Sequence, residues 1–255
     1  MLFAITRAIS GAFERCELSH QPRRPIDLPR ARAQHDAYEW ALVELGCTVR
    51  RLASTPDMPD AVFVEDAAVV FPEVAVVTRP GAASRRVEIP LVVEALGRFG
   101  LPLRDIVEPG SVDGGDVLVI GRDVFVGSSA RTNAAGTQQL QRLLEPLAYR
   151  LRVVPVRGCL HLKSAVTAVG TDTVLINPQW VPVDAFEGLT TIAVDPDEPD
   201  AANALLVGQT IIYPAAYPKT RARLEQHGMQ VRAVEVDELA KGEGGVTCCS
   251  VIFDI

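Results

Sequence analysis

Hydrophobic positions along the chain fall into short runs, and most of the runs come in pairs separated by a turn. Runs at residues 67–71 and 74–78 flank Pro72 and Glu73, and a similar pair at 117–120 and 124–127 flanks residues 121–123. Two more pairs lie at 165–169 with 173–176 and at 203–207 with 210–213. Short apolar runs bounded by turn residues are typical of strands, and close pairs of them predict hairpins. The pattern therefore predicts four β-hairpin units.

Helix-like segments follow most of these hairpins. We predict helices at about residues 84–99, 133–147 and 219–227. The N-terminal region has a strand at 2–6, a helix at 29–45 and a strand at 48–52. Asp27 is the expected N-cap of this helix and Gly46 its end, and the spacing of Ala37, Ala41 and Leu45 predicts its buried stripe. A last strand is expected at 249–253.

The hairpin units recur at about forty to fifty residues, which indicates a repeat architecture. We interpret the chain as a single α/β domain over residues 1–255 with radial symmetry, in which strands from the two termini pair to complete a fifth unit. Such pairing would remove exposed sheet edges. The alternative is a doubly wound α/β sheet, which ranks second because single strands, not hairpins, would precede its helices.

Composition and charge narrow the function classes. The chain has 255 residues, of which 48% are hydrophobic and 22% charged, as in ordinary soluble proteins. A formal net charge of -7 argues against general binding to nucleic acid or to an anionic membrane, although a local basic pocket remains compatible with it. No apolar run has the length of a membrane span, and the N-terminus lacks the pattern of a signal peptide. Five cysteines without metal-type spacing predict a reduced, cytoplasmic protein that holds no metal.

Polar residues with chemical potential fall at the starts of the predicted units. Equivalent positions of a radial array converge on its axis, so these residues would meet although they are far apart in sequence. Each one alone also fits an ordinary role in a turn or in the core. Their matching positions favour a shared site. They are Glu65 and Asp66, Asp113 and Asp116, His161, Asn203, and Cys248.

A thiol, a histidine and paired carboxylates indicate chemistry on a cationic group. A cysteine beside a histidine supports nucleophilic catalysis once the thiol is ionised. Paired carboxylates bind a guanidinium, and the bound cation would in turn favour the thiolate. His161 would protonate the departing amine and then activate water. Arg85 and Arg131 lie near predicted helix starts, where they could grip an α-carboxylate, although surface solvation is the commoner fate of an arginine.

Six ordered segments resemble the dimethylarginine dimethylaminohydrolase family of the pentein superfamily. They spread over most of the chain, and their order is that of the family. Together they make a specific resemblance, whereas any one of them alone would be weak. The segments are PDAVFVED at 59–66, TRPGAASRR at 78–86, DGGDVL at 113–118, RTN at 131–133, LHLKS at 160–164 and TCCSV at 247–251.

The resemblance implies a fold, a reaction and a partner. The fold is a five-bladed α/β propeller, the pentein fold, with the active site on its axis. The reaction is the hydrolysis of Nω-methylated arginine to citrulline and methylamine or dimethylamine through a covalent cysteine thiouronium, with no cofactor. The partner is the small-molecule substrate, with no nucleic acid or membrane, and the protein is expected to be a monomer or a homodimer.

The resemblance also implies roles for individual residues. Cys248 matches the nucleophile, His161 the general acid and base, and Asp113 the acid that supports the histidine. Strand alternation places Cys249 on the opposite face. The substrate contacts it implies are Asp66 with Glu65 for the guanidinium, Arg85 and Arg131 for the α-carboxylate, and Asp60 with the backbone of Leu18 and Gly242 for the amino-acid end or the lid over it.

Two departures from the family pattern and three other functions stay open at this point. Cys159 stands where a glycine is expected, and the loop around Leu18 differs in sequence. Arginine deiminase and amidino transfer use similar residues, and a non-catalytic binder of methylarginine could keep the propeller. A zinc site is disfavoured because no four-ligand set accompanies Cys248 and His161.

Overall fold

Five separate three-stranded sheets, each a blade, make up the protein in the computed structural model, which describes residues 1–255. Fifteen strands form them, and in each sheet the strand order is given from one edge to the other. The blades are blade 1 with β15 (Val251–Asp254), β1 (Leu2–Arg7) and β2 (Thr48–Leu52); blade 2 with β3 (Ala68–Val70), β4 (Ala75–Val77) and β5 (Leu103–Asp105); blade 3 with β6 (Val117–Ile120), β7 (Asp123–Ser128) and β8 (Arg150–Pro155); blade 4 with β9 (Val166–Ala168), β10 (Thr173–Ile176) and β11 (Thr190–Ala193); and blade 5 with β12 (Leu205–Val207), β13 (Thr210–Pro214) and β14 (Gln230–Val234).

Six α-helices connect or flank these strands. None of the helices combines the length and the hydrophobicity needed to cross a membrane. Short 3-10 helices occur at Val64–Ala67, Ala83–Glu88, Gly114–Asp116, Glu145–Leu147 and Val183–Phe186, among other places. The α-helices are α1 (Leu28–Glu44), α2 (Ile89–Gly97), α3 (Ala134–Leu144), α4 (Leu162–Ala165), α5 (Pro218–Gln226) and α6 (Asp237–Ala240).

Every blade has the same topology. Its first two strands pair antiparallel, and the chain then crosses over to a third strand that pairs parallel to the second, as with β3, β4 and β5. A parallel pair cannot be closed by a tight turn, so a helical connection is needed between the second and third strands. A helix fills this place in four blades, and the 3-10 helix Val183–Phe186 fills it in blade 4.

The two ends of the chain close the ring, as the sequence predicted. In blade 1, β1 pairs antiparallel with β15, with Leu2 opposite Asp254, and parallel with β2. The five small sheets with their connecting helices confirm the α/β propeller and exclude the doubly wound sheet.

Buried hydrophobic residues form five clusters, and each cluster fills one junction between neighbouring blades. The largest joins blade 5 to blade 1 beneath α1, and it contains Tyr38, Leu42, Ile212 and Val234. The other four join blades 1 and 2, 2 and 3, 3 and 4, and 4 and 5. A blade thus buries its faces only against its two neighbours, as repeat proteins do.

Three details differ from the sequence predictions. The third strands of blades 2 to 5 were not predicted, because their outward residues are largely exposed and polar, as in β8. The segment 84–99 begins as a 3-10 helix, and the last strand begins at Val251. Helix α1 has the predicted N-cap, with the Asp27 carboxylate accepting from Arg30 N–H at 3.0 Å, but Ala37 is exposed, and the buried face is centred on Tyr38.

Candidate active site

The segments that precede the first strand of each blade meet at the axis of the propeller. Hydrogen bonds between successive blades join them into a closed ring, so the unit starts converge as the repeat pattern predicted. In order round the ring, Gly115 N–H donates to Asp66 Oδ1 (2.9 Å), Leu162 N–H to Asp116 Oδ1 (2.9 Å), Asn203 Nδ2 to the carbonyl of Lys163 (3.0 Å), Thr247 N–H to Asn203 Oδ1 (3.1 Å), and Glu65 N–H to the carbonyl of Cys248 (3.1 Å).

The two glycines of the Asp113-Gly114-Gly115-Asp116 run permit this close approach. A Cβ on Gly114 would lie 2.0 Å from the carbonyl oxygen of Glu65, and one on Gly115 would lie 2.6 Å from Nδ1 of His161. Neither distance is possible for real atoms. The run is a 3-10 turn, as its composition suggested, and the glycines also let neighbouring blades bring their polar side chains together.

A small, partly open cavity of about 20 Å³ lies at the axis, beside these segments. That volume holds no more than about one water, so an amino-acid side chain cannot enter without movement of the wall. Seven of the ten site residues predicted from the sequence line the cavity: Asp60, Asp66, Arg85, Arg131, His161, Gly242 and Cys248. Five further residues complete the lining: Glu17, Phe63, Leu160, Glu243 and Gly244.

Cys248 borders the cavity, whereas Cys249 does not. Gly245 N–H donates to the Cys248 sulfur at 3.2 Å. Burial and the negative charges of Glu65 and Asp66 raise the pKa of the Cys248 thiol, so it is protonated at neutral pH in the free protein. Cys249 is fully buried in the core between blades 5 and 1, with its sulfur 3.5 Å from the carbonyl of Gly245.

His161 lies between two carboxylates. Its Nε2 is 3.0 Å from Asp113 Oδ2, and its Nδ1 is 3.9 Å from Asp66 Oδ1. Burial alone would lower the pKa of His161, but the negative charges of Asp66, Asp113 and Asp116 outweigh it and raise the pKa to about 9. The imidazole is therefore charged at neutral pH and carries a proton that it can give away.

Asp113 lies behind the histidine and is fully buried. Its second oxygen, Oδ1, accepts the N–H of Gly81 at 2.8 Å, and this bond fixes the carboxylate against His161. Asp116 supports the same loop, because its Oδ2 accepts the Ser129 hydroxyl at 2.6 Å while Oδ1 holds Leu162.

Arg85 and Asp66 form a buried ion pair on another wall of the cavity. Arg85 also binds both oxygens of Glu88 and donates to the carbonyl of Phe63 at 2.8 Å, so its donors are largely used. Burial alone would raise the pKa of Asp66, but the charges of His161 and Arg85 outweigh it and lower the pKa to about 2. Asp66 is thus an anion throughout the physiological range.

Arg131 makes fewer hydrogen bonds and ion pairs than Arg85. Its Nη2 donates to the Ser19 hydroxyl at 3.1 Å, and its Nη1 lies 3.9 Å from Asp113 Oδ2. Its guanidinium thus retains donors for a further anion.

Three of the predicted residues do not line the cavity. Asp113 is behind His161, and Leu18 packs partly buried against the largest core cluster. Glu65 faces the other side of the axis, where its carboxylate accepts from Lys163 Nζ (2.6 Å) and from the Thr247 hydroxyl (2.8 Å). The sequence places Glu65 beside Asp66, and the backbone sends the two side chains in different directions.

We call residues 17–21 the lid. Glu17 lines the active-site cavity, whereas His20 and Gln21 line a larger cavity beside it. Glu17 N–H donates to both oxygens of Asp60, at 3.0 and 3.2 Å, and its own carboxylate accepts the Ser84 hydroxyl at 2.6 Å. Burial raises the pKa of Asp60 to about 6. From the other side, Glu243 accepts the N–H groups of three consecutive lid residues, Ser19 to Gln21.

Comparisons with known proteins identify the family of the chain. The family model described as "N,N dimethylarginine dimethylhydrolase, eukaryotic" matches residues 14–189. The dimethylarginine dimethylaminohydrolase of Streptomyces coelicolor is 42% identical over 258 residues, which cover 97% of this chain and 95% of the relative. The chain belongs to the dimethylarginine dimethylaminohydrolase family.

Two solved structures of the family have the same fold. A cysteine-to-serine mutant of the Pseudomonas aeruginosa enzyme in complex with citrulline is 33% identical, with a TM-score of 0.94 over 98% of both chains. A histidine-to-glycine mutant of dimethylarginine dimethylaminohydrolase, as its adduct with S-methyl-L-thiocitrulline, is also 33% identical, with a TM-score of 0.93 over 99% of this chain and 100% of that one. The resemblance inferred from the six segments is confirmed.

Sequence reasoning missed two charged residues of this family member. Glu243 holds the lid, and its only sequence signal is its place in a glycine-rich stretch, where it adopts a left-handed φ of +64°. Lys163 neutralises Glu65, and it was visible only as part of the LHLKS segment.

One carboxylate and histidine set at the site could in principle bind a metal. Ligand atoms of Asp66, Asp113 and His161 lie within 4.8 Å of one another. The Asp66 carboxylate is already paired with Arg85, and a protonated imidazole cannot bind a metal ion. The site as folded therefore favours a guanidinium over a metal, and the absence of a metal stays a prediction.

Proposed function

We propose that the chain hydrolyses Nω-methylated arginine to citrulline and methylamine or dimethylamine. One observation carries the proposal beyond family membership: Cys248 and His161 line the same small cavity as Asp66. A nucleophile, a proton donor and a carboxylate that attracts cations are therefore assembled around one buried point. The related Pseudomonas structure holds citrulline, which is the amino-acid product of this reaction.

Substrate binding follows from the charges. The guanidinium would be drawn to Asp66, which it would share with Arg85, while Glu65 adds negative charge from the far side of the axis. Arg131 is the better candidate for binding the substrate α-carboxylate, because most N–H donors of Arg85 already bind groups of the protein. Asp60, with the backbone of Leu18 and Gly242, would hold the amino-acid end under the lid.

The first half of the reaction forms a carbon–sulfur bond and breaks a carbon–nitrogen bond. A bound guanidinium brings positive charge beside Cys248 and offsets the carboxylates that raise the thiol pKa, so it favours the thiolate. The thiol proton leaves to solvent as the substrate binds, and the thiolate then adds to the central guanidinium carbon. His161, charged and held by Asp113, gives its proton to the methylated nitrogen, which leaves as the neutral amine, and a thiouronium remains on Cys248.

The second half restores the enzyme. His161, now neutral, takes a proton from a water molecule, and the hydroxide adds to the thiouronium carbon. The carbon–sulfur bond then breaks, citrulline leaves, and the thiolate recovers a proton. The balance is one substrate and one water giving citrulline and one amine.

We further propose that residues 1–255 act as a single catalytic domain and that the protein works in the cytoplasm, where reducing conditions keep Cys248 a thiol. A monomer or a homodimer is sufficient for this mechanism, because every residue it uses belongs to one chain. Analytical ultracentrifugation would distinguish the two states.

The decisive experiment compares substrates. The purified protein is incubated separately with asymmetric dimethylarginine and with arginine, and citrulline, dimethylamine and ammonia are measured. Citrulline and dimethylamine in equal amounts from the first substrate, with little ammonia from the second, is the expected result. Turnover of arginine alone would replace the proposal with a deiminase, and binding of dimethylarginine without any product would replace it with a binding protein.

A further inference from the structure

A second cavity lies beside the active site and shares a wall with it. Its volume is about 180 Å³, against about 20 Å³ for the active-site cavity. Leu160, Glu243 and Gly244 line both spaces, so in places the wall is one residue thick. Leu160 directly precedes His161, and Gly244 lies close in sequence to Cys248.

The charge of this second cavity is negative. Its lining includes three carboxylates, those of Asp200, Asp237 and Glu243, and no lysine or arginine. Asp237 is paired with Arg30, and Glu243 binds the lid. Asp200 has no hydrogen bond or ion pair within the protein, so its charge is available to a ligand, and a cation is the kind of ligand that it favours.

Aromatic and hydroxyl groups without partners surround the cavity. Trp180 lies against the backbone of Gly158, where an added Cβ would be 3.0 Å from the indole ring. Trp180, Tyr217 and Ser164 line the cavity, and the indole N–H of Trp180 and the hydroxyls of Tyr217 and Ser164 make no hydrogen bond within the protein. Burial, and next the negative charge of Asp200, raise the pKa of Tyr217 to about 12, which agrees with the two side chains lying close together.

Aromatic faces beside a free carboxylate are the surroundings that suit a methylated ammonium. The ring faces attract the cation and receive its methyl groups, and the carboxylate accepts its N–H. Citrulline fits less well, because the lining holds three carboxylates and no lysine or arginine to pair with the citrulline carboxylate. The amine product, which becomes an ammonium ion in water, meets both conditions.

We propose that this cavity is an alkylammonium site that takes the amine released from the substrate. The inference rests on the proposed function, since the amine comes from that reaction. His161 would protonate the leaving nitrogen next to Leu160, and a change of the Leu160 rotamer would open the shared wall. Removal of the amine from the thiouronium matters chemically, because an amine that stayed could attack the same carbon and regenerate the substrate.

Binding of dimethylammonium tests the site directly. Dimethylammonium chloride is titrated into the Cys248→Ser protein, which cannot turn over, and binding is followed by saturation-transfer NMR with and without saturating citrulline. We expect binding that persists when citrulline fills the active site. In the same background, Asp200→Asn and Trp180→Ala should each weaken it about threefold, because Asp200 is exposed and Trp180 is half-buried, and contacts to such groups are screened by water.

The control is Asp105→Asn, which removes the same charge from an exposed residue of β5 and should leave dimethylammonium binding unchanged. Displacement of the amine by citrulline, no saturable binding, or equal binding by the Cys248→Ser protein with and without Asp200→Asn would each overturn the inference. Failure of the wild-type protein to form citrulline from dimethylarginine would instead overturn the proposed function, and the NMR titration would still decide whether the cavity binds an alkylammonium.

Discussion

Glu243 holds the C-terminal half of the lid, residues 19–21, and removal of its side chain should have a measurable effect. Glu243 accepts the N–H of Ser19 at 2.9 Å and those of His20 and Gln21 at 2.6 Å each. Because the active-site cavity measures only about 20 Å³, substrate binding requires the cavity wall to move. The strength of the Glu243 contacts therefore contributes to how often the lid is open.

The change to make is Glu243→Ala. Glutamate and alanine both carry a Cβ, so the left-handed backbone at φ +64° costs about the same in both, and the difference isolates the carboxylate. A hydrogen bond to a charged group contributes about 1.5–3 kcal/mol when buried. This carboxylate is only partly buried, so we take about 1.5 kcal/mol for the three bonds together, which corresponds to about a tenfold shift towards the open lid.

Two measurements check this shift. Amide hydrogen exchange in residues 17–21 should accelerate about tenfold in Glu243→Ala, and the KM for dimethylarginine should rise by a similar factor, because the closed complex loses its clamp. Glu14→Gln is the control, since Glu14 lies just before the lid and is exposed, and its side chain makes no hydrogen bond or ion pair. Unchanged exchange of the lid amides in Glu243→Ala would refute the reasoning, whatever happened to KM.

Three further outcomes are expected. Cys248→Ser should reduce turnover at least about a thousandfold, whereas Cys249→Ser should retain much of it because that thiol lies in the core. Steady-state citrulline assays check both variants, and the reverse result would make Cys249 the nucleophile. The His161 imidazole should titrate near pH 9 in NMR, with the charged form present below that pH and lost above it, and titration near 6.5 would contradict the assigned environment. Asp113→Asn removes a negative charge beside His161, so it should lower the His161 pKa and reduce kcat about a hundredfold or more. A fall in kcat with no change in the His161 titration would show that Asp113 does not act through the histidine.

Local sequence patterns were sufficient for the repeating part of the fold. Pairs of apolar runs around turn residues identified four hairpins, and the strands at the two termini pointed to the fifth. Asp27 and Gly46 bounded the first long helix because capping and chain reversal depend on a few neighbouring residues. The outer strands of blades 2 to 5 were not predicted, because most of them are short and largely exposed, although β14 does alternate polar and apolar residues.

The sequence by itself determined which polar residues stand at the starts of the units. From their matching positions it predicted that a thiol, a histidine and carboxylates meet at one axis. The tertiary structure decided which of them face the cavity. Glu65 and Asp66 are adjacent in sequence, yet one pairs with Lys163 and the other with Arg85. Glu243 and Ser19, 224 residues apart, meet only because the ring closes. Contacts of this kind depend on the packing of distant blades against one another, and for that reason the lid clamp and the second cavity could not be read from the chain.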